Sequence, residues 1–257
     1  MFSKHLFKKT LKDNWGIWLG ITIALVLLLV ILLIAVKTIA DNPELAGGPG
    51  GAKHLSTGII IDLYFTMYAM LLPMVYIVIT GNKLIASQVD KGSLACIMAR
   101  PVKRNQFSMT QAAYLIGSII VMFSIIALVG TAAIAVLGLD IAIGKFLLLC
   151  LGSICFNLAI SGISYLASCI FNFSGKSLLL GAGLPILFFV FSLLASFSEM
   201  AKIMEAFKYL TINSLYNVSD ITAYSTNMIW QFLILFGIGA ACYTAGVMYF
   251  KKKDLPL

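Results

Sequence analysis

The chain has 257 residues, of which 61% are hydrophobic and 11% are charged, and its mean hydropathy is +1.01. A soluble globular domain carries about 25% charged residues, so this composition excludes that class. Disordered chains are excluded as well, because they combine low hydrophobicity with high net charge. The net charge of +8 fits either a nucleic-acid-binding protein or a membrane protein, and the positions of the lysines and arginines decide between them.

Six stretches of the sequence are nearly free of charge and long enough to cross a bilayer. A transmembrane helix needs about twenty apolar residues, because it rises about 1.5 Å per residue through a hydrocarbon layer about 30 Å thick. The sequence therefore predicts an all-α polytopic membrane protein with one transmembrane domain over residues 1–257. We expect spans at about residues 15–36, 59–81, 108–138, 146–171, 177–198 and 226–250. Pro73 interrupts the second span, and a membrane helix tolerates it where a neighbour satisfies the carbonyl that the proline frees.

The basic residues are distributed unequally between the two sides of the membrane. With six spans, both ends of the chain lie on one side, and that side carries 13 of the 18 lysines and arginines. The positive-inside rule then places both ends in the cytoplasm of a cell, which we expect to be bacterial, with the protein in its plasma membrane. Since the charge excess follows topology, no nucleic-acid partner is expected.

Two polar segments outside the spans have helical periodicity. Residues 1–14 predict a helix that lies on membrane lipid before the chain turns into the bilayer. Its apolar half is Phe2, Leu6, Phe7 and Leu11, and its basic half is Lys4, His5, Lys8, Lys9 and Lys12. The alternative is a scatter of lysines that only sets orientation. Residues 199–210 predict a second helix, against the outer membrane surface or over the bundle.

The segment at 87–107, between the second and third spans, predicts a short amphipathic helix. Leu94, Ile97 and Met98 form an apolar stripe with helical spacing, and Pro101 ends the helix because the residue before a proline avoids helical geometry. Such an element suits docking, with its apolar side in a groove of a partner and its links to two spans transmitting the partner's motion. The alternative is an interfacial loop that carries positive-inside charge.

Within this segment the strings Asp90-Lys91-Gly92-Ser93-Leu94 and Arg100-Pro101-Val102-Lys103-Arg104 resemble a signature of ABC-2 type permeases. That signature is acidic-x-Gly-Thr-Leu followed by Pro-Val-Ser-Arg, so Asp90 replaces a glutamate, Ser93 a threonine and Lys103 a serine. The resemblance implies an export permease subunit that dimerises with a second permease copy, identical or different, and works with cytoplasmic ATP-binding subunits. It implies that the coupling contact with the ATPase is made by Asp90, Gly92, Ser93, Leu94, Ile97, Met98, Arg100, Pro101 and Arg104.

No motif for catalysis or cofactor binding is complete. Residues 174–177 read Ser-Gly-Lys-Ser like the end of a phosphate-binding loop, but Ile170 stands where the first glycine belongs, so we predict a tight turn. His5 and His54 are the only histidines, both lie outside the spans, and no span contains a pair of carboxylates. We expect no enzyme activity and no cofactor in this chain, with ATP and magnesium bound by the partner ATPase.

One face of the second span is a candidate substrate path. Its residues are Tyr64, Met67, Tyr68 and Leu71, continued by Val75. Met and Tyr adapt to irregular partners, so the stripe suits a greasy cargo, and plain helix packing is the alternative. Asp62, at the external end of this span, steers a cationic substrate, caps the helix or simply lies at the membrane interface.

Export by alternating access is the function these observations favour. A hydrophobic or amphipathic cargo fits an apolar path, with peptide toxins or antimicrobials favoured over drugs and lipids. The rival functions are an autonomous secondary transporter or channel without an ATPase, and a membrane scaffold that senses without transporting. Nearly charge-free spans disfavour the secondary transporter, which usually needs ionisable groups in the membrane.

Overall fold

The computed structural model describes residues 3–41, 57–94, 104–139, 141–196, 212–216, 218, 221 and 227–253. Over these residues the chain contains helices and turns without a strand, and six helices are long and apolar enough to cross a membrane. The predicted all-α fold with six spans is confirmed.

Spans 2 to 6 begin and end within a few residues of the predicted positions, whereas span 1 begins eleven residues before the predicted start at residue 15. The six are span 1, Lys4–Asp41; span 2, residues 57–84; span 3, Arg104–Leu137; span 4, Ile143–Ile170; span 5, Ser174–Ser196; and span 6, Asn227–Lys252. Span 2 consists of a helix at Thr57–Leu63, a π-helical turn at Tyr64–Tyr68 and a helix at Ala69–Leu84. A short helix follows at Ala86–Asp90, and a 3-10 turn stands at Ile212–Leu215. The helix predicted at 199–210 lies outside the described residues.

Span 1 is one unbroken helix of 38 residues, about 57 Å long at 1.5 Å per residue. The separation of a 1–14 helix from the first span, with a turn between them, is therefore wrong. The N-terminal part of this helix packs on span 3. Thr10 and Asn14 are buried there, and the Thr10 hydroxyl donates to Gln111 Oε1 at 3.2 Å. Trp18 Nε1 extends the same contact to the Ser118 carbonyl at 2.9 Å.

Span 4 is the most buried of the six spans and contacts spans 2, 3 and 6. Asn157 Nδ2 donates to the Ala69 carbonyl of span 2 at 3.2 Å. Pro73 has no N–H to donate to that carbonyl four residues earlier, so the expectation that a neighbour satisfies it is confirmed. On other faces of span 4, Tyr165 OH donates to the Ser108 carbonyl of span 3 at 2.8 Å.

Glycine allows spans 4 and 6 to pack backbone against backbone. A Cβ on Gly239 would lie 3.1 Å from the Leu158 carbonyl oxygen, and one on Gly162 would lie 3.0 Å from the Gly239 carbonyl oxygen. Tyr243 OH fixes the register of this pair by donating to Ser161 Oγ at 2.7 Å.

Both described ends of the chain meet at one end of the bundle. Lys83 Nζ donates to the Asp13 carbonyl at 2.8 Å, which connects the end of span 2 to the N-terminal part of span 1. Arg104 donates to the Lys253 carbonyl at 3.1 Å, and Lys253 Nζ donates to the Cys169 carbonyl at 2.9 Å. We call this region, which also holds the 2–3 and 4–5 connections, the basic end.

Candidate functional site

The chain turns sharply where span 2 reaches the basic end. Span 2 ends at Leu84, and Ile85 leaves helical geometry with φ −130° and ψ −65°. The Ala86 N–H then donates to Ser168 Oγ at 2.9 Å, inside the bundle. This bond fixes the start of the Ala86–Asp90 helix against the end of span 4.

A left-handed glycine ends the Ala86–Asp90 helix. Gly92 has φ +68° and donates its N–H to the Val89 carbonyl at 3.0 Å, a helix stop that a residue with a Cβ adopts only under strain. Residues 90–93 are all exposed. We call these four residues, Asp90 to Ser93, the polar tip.

The polar tip is connected to the first turn of span 5. Asp90 Oδ2 accepts from the Ser174 N–H at 3.2 Å, and Asn82 Nδ2 donates to Ser174 Oγ at 2.6 Å. Ser174 is the first residue of span 5, where unpaired amides and the helix dipole favour a carboxylate. Any displacement of Asp90 therefore acts directly on span 5 as well as on span 2.

The Asp90–Ser174 connection was missed in the sequence, and the turn predicted at 174–177 is wrong. Those four residues form the first turn of span 5, and the non-helical turn is at 171–173. The incomplete phosphate-loop motif gave no reason to pair Ser174 with a residue 84 positions earlier. An Asp that faces a Ser at a helix start is a capping signal only once the two segments are known to be neighbours.

Leu94 does not face outward. It is 1% exposed and belongs to the main hydrophobic core, so its predicted place on an exposed apolar face is wrong. The side chain of Leu94 anchors the polar tip to the bundle, while the residues before it are exposed. Ile97, Met98, Arg100 and Pro101 lie outside the described residues. Arg104 is the first residue of span 3, so residues 104–107 of the predicted coupling segment belong to that span.

The predicted stripe on span 2 is divided by the π-helical turn. Tyr64 is 0% exposed and donates to the Leu25 carbonyl at 3.2 Å, so its place on a common face with the other four is wrong. Met67 and Val75 are 42% and 50% exposed, and Tyr68 and Leu71 are half-buried. A π turn adds a residue to the helical turn and rotates the following side chains relative to the preceding ones.

Asp62 is the sixth residue of the Thr57–Leu63 helix. A capping residue stands outside the first helical turn, so the interpretation of Asp62 as a cap is wrong. Metal binding gains no support from the part of the chain that the structure describes, because no three His, Cys, Asp or Glu residues gather there.

Comparison with known proteins agrees with this architecture. The model of a family described as "ABC-2 family transporter protein" matches residues 3–255. No curated protein matches the chain.

Proposed function

The chain belongs to the ABC-2 transporter family, and on that premise we propose that it is the permease subunit of an ATP-driven exporter that moves a hydrophobic or amphipathic cargo. Membership over nearly the whole length is the observation that carries the proposal. It favours a permease coupled to an ATPase over an autonomous transporter or a sensing scaffold. ATP and Mg²⁺ then bind to a separate ATPase subunit, and the basic end faces the cytoplasm.

The polar tip is the proposed contact with the ATPase. Its four residues are exposed, whereas Leu94 behind them is held in the core. Force applied to the tip reaches three spans, through Leu84 to span 2, through Ser168 to span 4 and through Ser174 to span 5. Rigid helices joined by such bonds move together, which is what alternating access requires.

Asp90→Asn tests this coupling. An uncharged amide interacts more weakly with the start of span 5, because the carboxylate there is stabilised by the helix dipole by about 0.3–1 kcal/mol. We expect the variant to stay folded, to co-purify with the ATPase subunit, and to lose most of the cargo-stimulated ATP hydrolysis of the reconstituted complex.

Asp13→Asn is the matched control. Asp13 is also exposed at the basic end, and only its backbone carbonyl takes part in the bond to Lys83, so the variant removes the same charge without touching the tip. Equal ATP hydrolysis in Asp90→Asn and wild type would contradict the coupling role, and failure of any ATPase subunit to bind wild-type protein would contradict the proposed function. Leu94→Asp is not a usable test, because a charge at a core position disrupts the fold.

The outward side of span 2 is the proposed cargo path. After the correction for Tyr64, its members are Met67, Tyr68, Leu71 and Val75, which are exposed or half-buried in the single chain. Such a surface suits an amphipathic peptide, and we favour peptide toxins or antimicrobials over drugs and lipids as cargo. A second permease copy, identical or different, encloses the path from the other side.

Met67→Trp tests the path. The larger ring fills space in front of span 2, so we expect transport of a model amphipathic peptide into inverted vesicles to fall several-fold while ATPase binding is kept. Leu128→Trp is the control, because Leu128 on span 3 is 71% exposed and carries no proposed role. If both variants transport at the wild-type rate, this side of span 2 is not the path.

A further inference from the structure

A groove at the basic end combines a basic mouth with an apolar wall. It has a volume of about 810 Å³ and lies between the end of span 6 and the turn that follows span 4. Lys251, Lys252 and Lys253 line its mouth, and Ile170, Ala245 and Met248 form its wall. Neither the coupling contact nor the cargo path uses these residues.

The lysines concentrate positive charge at the mouth of the groove. Lys251 and Lys252 are exposed in the last turn of span 6, and Lys253 is held in place by its bond to the Cys169 carbonyl. The pKa of Lys253 is lowered overall by burial, and the neighbouring Cys169 acts in the opposite direction. No acidic residue lines the groove within the described ranges. The nearest acid in sequence is Asp254, outside those ranges, and the Asp90 carboxylate is bonded to Ser174.

The apolar wall continues along the membrane face of span 6. Met248 and Ala245 are exposed one and two turns before Lys252, and Tyr249 beside Met248 is 48% exposed. Tyrosine with an exposed ring and hydroxyl is typical of the membrane–water boundary. A ligand in the groove therefore meets cations at one end and a lipid-exposed helix face at the other.

We propose that this groove binds an anionic phospholipid, with the phosphate between Lys251 and Lys252 and an acyl chain along Ala245 and Met248. Basic pockets at the ends of transmembrane helices bind anionic headgroups through charge attraction that neutral lipids lack. An acidic protein surface would pair with the lysines but would make no use of the apolar wall. A lipid matches both parts of the groove, so we favour a lipid. The inference rests on the proposed function only in placing the basic end at the anionic leaflet; it is independent of the ATPase and the cargo.

Native mass spectrometry of the full chain, released from detergent and titrated with phosphatidylglycerol or phosphatidylcholine, tests the site. We expect wild type to retain one phosphatidylglycerol more tightly than phosphatidylcholine. Lys251→Gln with Lys252→Gln should weaken that first adduct roughly 10- to 30-fold, as expected for two lysines near a lipid phosphate. The matched control is Lys83→Gln with Lys176→Gln, which removes two exposed lysines from the same end of the bundle that do not line the groove and should leave the adduct unchanged.

Four results would overturn the site. Equal weakening by both double variants would mean that only total charge matters. Equal retention of the two lipids would remove the anionic preference. If inorganic phosphate protects the site as effectively as phosphatidylglycerol does, the site binds a free anion and not a lipid. If the Lys251/Lys252 variant keeps its lipid in the titration but loses the ATPase subunit in a separate co-purification, the surface binds protein. Since the titration contains neither ATPase nor cargo, its failure leaves the exporter proposal standing.

Discussion

Pro73 and Asn157 complement one another across spans 2 and 4. The proline deprives the Ala69 carbonyl of its intrahelical donor, and Asn157 Nδ2 supplies a replacement at 3.2 Å. In hydrocarbon an unpaired carbonyl has no water to accept from. The free-energy cost of replacing Asn157 therefore depends on whether Pro73 is present.

A double-mutant cycle measures this dependence. Asn157→Ala should lower the free energy of unfolding by about 1 kcal/mol, the size of other hydrogen bonds between membrane helices. In a Pro73→Ala background the restored N–H can bond Ala69, so the same change should cost clearly less. Unfolding in mixed micelles gives the four free energies, and additive values would show that the two positions are independent.

At the scale of the helices, close contacts hold span 3 against spans 1 and 4. A Cβ on Gly130 of span 3 would collide with the ring of Phe146 on span 4 and lie 3.0 Å from Leu29 Cδ2 on span 1. Phe146 is itself fully buried and packs edge to face with Phe65, with ring centroids 5.6 Å apart. The Phe146 ring is therefore packed against spans 2 and 3.

Gly130→Ala should therefore lower the free energy of unfolding by about 1–3 kcal/mol, the usual cost of overpacking. Gly117→Ala on the same helix is the control, because nothing lies within 4 Å of its added Cβ and alanine is the better helix former. We expect thermal denaturation in detergent to show a lower midpoint for the first variant and an unchanged or higher one for the second. A similar midpoint for both would mean that span 3 moves away from Phe146 at no cost.

At the scale of the whole molecule, the spans alternate in direction and bring both described ends of the chain to the basic end. The contacts of Lys83 with Asp13, Arg104 with Lys253 and Asp90 with Ser174 all lie there. The proposed ATPase contact and the proposed lipid groove therefore share one end of the bundle. An ATPase that docks on the polar tip acts beside a lipid bound at the end of span 6.

The number of the spans and, apart from the start of span 1, their limits were predictable, because a membrane helix is recognised from a continuous apolar run alone. The inward faces were not, since these spans are apolar on all sides and periodicity does not separate core from lipid. Tyr64 was misplaced for this reason, and the π turn altered the face further. Leu94 was misplaced because an amphipathic stripe beside the bundle does not show whether its apolar side faces the bundle or a partner. The Asp90–Ser174 bond joins residues 84 positions apart, a pairing that no local pattern predicts.

The central position of span 4 also determines the order in which the chain can be completed during synthesis. Spans 1 to 3 leave the ribosome first, and until residue 157 follows, the Ala69 carbonyl has no donor from Asn157. The bond from Tyr165 to the Ser108 carbonyl likewise forms only once span 4 is present. The first half of the chain is thus inserted without these two bonds, which the fourth span adds.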